Sequence, residues 1–194
     1  MGQKDWANPA PWAIQSVAVL TACAGFVFAG LVPESSVPLI IGILLSCVIP
    51  QLIGGIILFR RNEILLGTIC ALFGTVITMG AAFTLYEIVF MAPKAGAFTP
   101  ELLGVFWFVL FIITEVFAIG FGRASWFLLL GIAEVGVAFL FLSINAWTGS
   151  QIAGIIGGWL LILFSAFCIY ASSALLLAEH FEKPILPIGR PIFK

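Results

Sequence analysis

Charge is scarce in this sequence: 9% of its 194 residues are charged, with eight Lys and Arg against nine Asp and Glu. A soluble domain carries about 25%, so a water-facing surface cannot be built from this chain. No run of basic residues is present, which removes the electrostatic footprint of a nucleic-acid partner. Histidine occurs once, at His180, and the four cysteines (Cys23, Cys47, Cys70, Cys168) lack CxxC spacing. These counts argue against a metal site or a disulfide framework, and the cysteines read as small buried hydrophobes. A nucleophile–base pair and a phosphate-cradling glycine loop are also missing, so neither an enzyme nor a cofactor is expected. The opening residues lack the basic region and cleavage site of a secretory signal, so the first helix is expected to be retained.

Apolar residues fill the space that charge leaves, at 62% of the chain with a mean hydropathy of +1.23. Stretches of about 20 residues recur, each long enough for a helix across a hydrocarbon core of about 30 Å. They are solidly apolar rather than alternating, which argues against a transmembrane barrel. The expected fold is an all-α integral membrane protein with six transmembrane helices in one domain. The spans are placed at about 9–31, 37–59, 63–91, 100–121, 124–146 and 150–179, followed by a tail over 180–194. Pro33 and Pro38 bracket the first break, and Pro93, Lys94 and Gly96 mark the third. Thr99 is placed as the N-cap of the fourth helix, with Pro100 in its first turn.

Six spans put both termini on one side. That side receives Lys4, Arg60, Arg61, Arg123, Lys183, Arg190 and Lys194, and the other only Lys94. The positive-inside bias makes both termini cytoplasmic in a multi-pass cell-membrane (plasma or inner) protein. Three helices per half give the halves opposite orientations, the topology of an inverted repeat, although no residue-level repeat accompanies it. Gly25–Ala29, Ala118–Gly122 and Gly154–Gly158 are small-xxx-small pairs that bring helix backbones close, within a protomer or between protomers. The six tryptophans read as interfacial anchors.

Polar residues at membrane depth are the exceptions that suggest function. Glu115 and Glu134 fall on adjacent helices at depths differing by about 6 Å, with no Lys, Arg or His at that level. An ionised carboxylate costs about 2.5 kcal/mol or more there, so each must be paired, solvated or protonated. One reading is a proton-binding or substrate-contacting site. The other is a pair of neutral acids bonded to Thr114, Ser125, Ser143 or backbone carbonyls. Pro50 interrupts the second helix and frees the Ser46 carbonyl, which with Ser46 and Gln51 makes a polar spot.

Asn8-Pro9-Ala10-Pro11 resembles the NPAP signature of the acetate/succinate transporter family. Gln51, Gly55 and Arg60–Arg61 resemble that family's second helix and following loop. Gly104-Val105-Phe106, Thr114, Gly120 and Arg123 fall in similar register in the fourth. Gly158–Trp159, Ala166 to Tyr170 and the tail Leu186-Pro187-Ile188-Gly189 resemble its ending. The chain is similar to a divergent member, because Trp12-Ala13-Ile14, Leu58 and Leu175 depart from the family pattern. The resemblance implies a homohexamer in lipid, each protomer holding a pathway for acetate or succinate moved with or beside protons.

On that footing the expected pathway runs past Asn8, Pro9, Pro11, Gln51, Phe73, Thr114 and Tyr170, with Glu115 and Glu134 as candidate proton-binding groups. Asn8 caps the first helix and the prolines stiffen its mouth, where the helix dipole attracts carboxylates. Phe73 and Tyr170 are placed together at an aromatic constriction. The expected function is an acetate and small-carboxylate channel or proton-coupled permease. The alternative is a channel for small neutral solutes such as urea or undissociated weak acids.

Overall fold

The computed structural model describes residues 6–91 and 100–193. Lys4, Pro93, Lys94, Gly96, Lys194 and the expected cap Thr99 lie outside the described residues. The six helices are α1 (Ala10–Phe28), α2 (Val37–Arg60), α3 (Ile64–Met91), α4 (Glu101–Phe121), α5 (Trp126–Thr148) and α6 (Gln151–His180). Each is long and apolar enough to cross a membrane. Large apolar side chains such as Leu39, Leu102 and Ile152 are exposed around the bundle, as a lipid-facing surface requires. α1 begins and α6 finishes at one end of the bundle, called here the near end.

Helix boundaries follow local chemistry. Ser125 and Ser150 accept bonds from the backbone N–H groups of Leu128 and Ala153 at 3.0 and 3.3 Å, satisfying donors that the first helical turn leaves free. Gly149 ends α5 with a φ of +68°, a left-handed conformation available to glycine at little steric cost. Pro100 occupies the cap position just before Glu101 rather than the first turn.

The helices form a ring in the order α3, α2, α1, α6, α5, α4. The α1–α6 seam is packed densely, whereas α3 and α4 touch sparsely. Glycines explain the dense seam. A Cβ on Gly25 would lie 2.8 Å from the Gly158 carbonyl oxygen, and one on Gly158 would lie 2.3 Å from the Ala29 nitrogen. Two small-xxx-small pairs that the sequence left unassigned therefore meet each other inside one protomer. The Ser165 hydroxyl adds a 2.7 Å bond to the Ala18 carbonyl across the same seam.

Helix α3 is not uniform. It is α-helical over Ile64–Leu72 and Gly80–Tyr86 but widens into π-helical turns over Phe73–Met79 and Glu87–Met91. Such turns carry one extra residue per turn and recur at functional sites. The first coincides with the approach of α2, where a Cβ on Gly74 would meet Gln51 Cβ at 3.0 Å.

Candidate functional site

The polar spot on α2 has a different membership from the one expected. Ser46 is exposed and its hydroxyl bonds to Ile43 of its own helix at 2.8 Å. Gln51 is fully buried. Its amide donates to the Cys47 carbonyl at 2.9 Å and to the Thr78 hydroxyl at 3.3 Å. The extra peptide length of the π-helical turn places Thr78, five residues beyond Phe73, opposite Gln51. One buried amide thus ties α2 to the irregular part of α3.

Two cavities meet at Phe73 along the bundle, and a third adjoins the second at the far end. The near-end cavity, about 60 Å³, is lined by residues including Ile14, Ile69, Phe121, Ile132 and Cys168. The middle cavity, about 140 Å³, is lined by residues including Thr21, Ile40, Ile77, Thr78 and Leu161. The far-end cavity, about 370 Å³, includes Pro100, Glu101, Asn145 and Trp147. Phe73 is the residue common to the first two. Phe28, Leu103 and Trp107 are common to the second and third.

Aromatic packing fixes these partitions. The Phe73 ring lies 6.5 Å from Phe164 and 6.4 Å from Phe139, and Phe139 stacks on Trp107 at 5.4 Å. Four rings from α3, α4, α5 and α6 therefore make a continuous apolar barrier, with Phe73 at its centre. Trp107, unlike the interfacial anchor its sequence position suggests, is buried in this barrier. The other five tryptophans are exposed.

Asn8 accepts a 3.0 Å bond from the Ala10 N–H in a tight turn just ahead of α1. The cap position expected for it is held by Pro9, whose carbonyl accepts from the Ala13 N–H, and Pro9 therefore stands before the first turn rather than in it. Pro9 and Pro11 are buried, Pro9 against Gly54 of α2. None of the three lines a cavity; Ile14, one turn further along, is the first residue of α1 that does. Thr114 is fully buried and donates to Leu110 of its own helix at 2.7 Å, away from all three cavities.

Tyr170 is not beside Phe73. Its ring packs edge-on against Phe127 and its hydroxyl donates to the Pro187 carbonyl at 2.8 Å, holding the C-terminal tail. The tail continues with Trp126 N–H donating to the Arg190 carbonyl and Ile192 N–H to the Gly122 carbonyl, at 3.0 and 2.9 Å. The constriction partner that Tyr170 was expected to supply is Phe164, nearly two helical turns earlier on the same helix.

Glu115 and Glu134 do not make the hydrogen bonds to Thr114, Ser125 or Ser143 that one reading of the sequence expects. The Glu115 Oε1 atom and both Glu134 oxygens are buried without a hydrogen-bond partner. Thr114, Ser125 and Ser143 bond elsewhere, Ser143 to the Gly104 carbonyl at 2.8 Å. Glu115 lies against Gly136 of α5, where a Cβ would come within 2.3 Å of its Oε1. Neither acid lines any of the three cavities. Among the described residues no group of His, Cys, Asp and Glu has the arrangement of a metal site.

No family model matches the chain, and no curated protein matches it. A solved structure does: that of the bacterial acetate channel SatP, with a TM-score of 0.83 and 22% identity, covering 95% of this chain and 100% of that one. The chain has the acetate-channel fold. An identity this low with so complete an overlay means that backbone path is retained while most side chains differ. Within this acetate-channel fold, the ring of helices and its three cavities are formed by this chain's own residues.

Proposed function

We propose that the protein is a membrane channel or permease for acetate and related small carboxylates. The observation that carries this reading is the pair of cavities that Phe73 separates, with a third cavity adjoining the second at Trp107. A bundle built only for anchoring would be expected to close its interior with side chains. The backbone shared with an acetate channel supports the same reading. So do the Asn8-Pro9-Ala10-Pro11 and Leu186-Pro187-Ile188-Gly189 segments, which resemble the acetate/succinate transporter family.

The remaining features of the proposal follow from the same reading. Solute enters from the cytoplasmic side past the stiff start of α1, where Asn8, Pro9 and Pro11 orient the helix N-terminus. It reaches the near-end cavity at Ile14, crosses Phe73 into the middle cavity, and leaves at the far end, where Phe28, Val37 and Ile88 line that cavity. Gln51 positions the Phe73 turn through Thr78 without touching solute. Glu115 and Glu134 stand outside this path, so solute meets neither carboxylate. A homohexamer with cytoplasmic termini in the plasma or inner membrane is the assembly that the resemblance and the charge bias support.

The test is labelled-acetate uptake into vesicles holding the purified protein, against protein-free vesicles of the same lipid. Uptake above the empty vesicles supports the reading. Accumulation beyond equilibrium only under an inward proton gradient identifies a coupled permease, and equilibration without accumulation identifies a channel. Uptake equal to that of empty vesicles rejects the assignment to acetate.

A further inference from the structure

We infer that the species crossing the barrier is the neutral, protonated carboxylic acid rather than its anion, so that planar neutral solutes of the same size cross with it. This rests on the reading of the bundle as a solute path and names the substrate form.

The walls decide it. Among the described residues, the near-end and middle cavities are lined by aliphatic and aromatic residues, two cysteines and three threonines, with no charged residue and no asparagine or glutamine. The threonines add little polarity. The Thr21 hydroxyl donates to the Val17 carbonyl at 2.8 Å, and Thr78 is fully buried against Gln51. Thr84 stands near the far side of the middle cavity on the second α-helical stretch of α3. At Phe73 the neighbouring rings are Phe139 and Phe164, within one apolar cluster that also holds Ile77 and Leu161.

An anion in this section would lose its hydration shell and gain neither a cation nor a backbone donor. An uncompensated buried charge is among the least favourable species a protein interior can hold. A free carboxylic acid with a pKa of about 4.3 is ionised about 500-fold over its neutral form at pH 7. That deficit is modest beside the penalty for an unpaired charge, so the neutral form carries the flux. Among the described residues the basic side chains do not alter this: Arg61 is held by Glu63 and the Trp6 carbonyl, and Arg60, Arg123, Lys183 and Arg190 line none of the three cavities.

The experiment pairs acetate with urea, a planar neutral molecule of the same heavy-atom outline that crosses bare bilayers slowly. Vesicles holding the full-length protein are loaded with each solute, flux is read against protein-free vesicles, and current is recorded under an acetate gradient. The inference predicts urea flux above the empty vesicles and no acetate current. It also predicts that protein-dependent acetate flux rises about 100-fold from pH 7.5 to pH 5.5 at fixed total acetate, following the neutral fraction. A current whose reversal potential follows the acetate gradient overturns the inference and leaves the acetate pathway standing. Electroneutral acetate flux without urea flux overturns it in favour of coupled anion and proton movement. Flux of neither solute overturns the pathway itself.

Discussion

The Gln51 amide stands 3.3 Å from the Thr78 hydroxyl, joining α2 to the π-helical turn that begins at Phe73. The pair is fully buried, and the same amide also caps the Cys47 carbonyl at 2.9 Å. A local irregularity in one helix is thereby held by a polar side chain of its neighbour. The aromatic at the head of that turn separates two cavities.

Replacing Gln51 with Leu keeps much of the volume but strands the Thr78 hydroxyl. The loss of a buried hydrogen bond with its partner left unsatisfied is expected to cost about 1–3 kcal/mol. The melting temperature in detergent should fall, and Thr78→Val in the same background should recover part of the loss. If Gln51→Leu melts like the parent, the bond does not hold the turn.

Phe73→Ala removes the ring that separates cavities of about 60 and 140 Å³. Truncating a buried phenylalanine costs about 3–5 kcal/mol of stability, yet solute flux should rise because the barrier thins. Trp107→Ala should raise it less, since Phe28 and Leu103 still stand at that partition. Flux and melting temperature measured on the same preparations separate the two effects. Phe73→Ala flux equal to or below that of the parent would place the path elsewhere.

Gly158→Leu drives a side chain into the Ala29 backbone at the α1–α6 crossing. Overpacking of this kind costs about 1–3 kcal/mol or more, and backbone on the receiving side leaves little room for relief. Reduced yield of folded protein is expected, with Gly42→Leu as the control, because a Cβ at Gly42 meets nothing within 4 Å. Equal behaviour of the two variants would mean that the seam is not as tight as described.

Tyr170→Phe removes the 2.8 Å bond to Pro187 while keeping the ring on Phe127. The tail should become more open to limited proteolysis after Glu182, with solute flux unchanged. A tyrosine lining the solute path would instead change flux and leave proteolysis as it was.

Much of the architecture was legible in the sequence, and its causes are simple. So low a charge content leaves no alternative to lipid, and six apolar runs of the right length give six helices. The candidate site was much less legible, and the helices show why. They are apolar all round, so no polar stripe tells which face turns inward. Asn8, Gln51 and Thr114 are polar residues beside apolar runs. Yet Asn8 and Thr114 are bonded locally, Gln51 is bonded to Cys47 and across to Thr78, and none of the three lines a cavity. The walls are made instead by residues without distinguishing chemistry, such as Ile14, Ile77 and Leu161. Trp107 resembled an anchor because it falls near the start of its helix. Its stacking on Phe139 depends on how α4 and α5 are turned towards each other, which no spacing within either helix reveals. Tyr170 and Phe164 lie on one helix, and only its register against α3 selects Phe164 to face Phe73.

The central claim is that solute passes Phe73. Its most direct test is the initial rate of labelled-acetate flux into vesicles holding the parent, Phe73→Ala or Phe73→Trp proteins, each corrected by empty vesicles. The account predicts the order alanine, then phenylalanine, then tryptophan, following the gap left between Phe139 and Phe164. Three equal rates, or none above the empty vesicles, would contradict it.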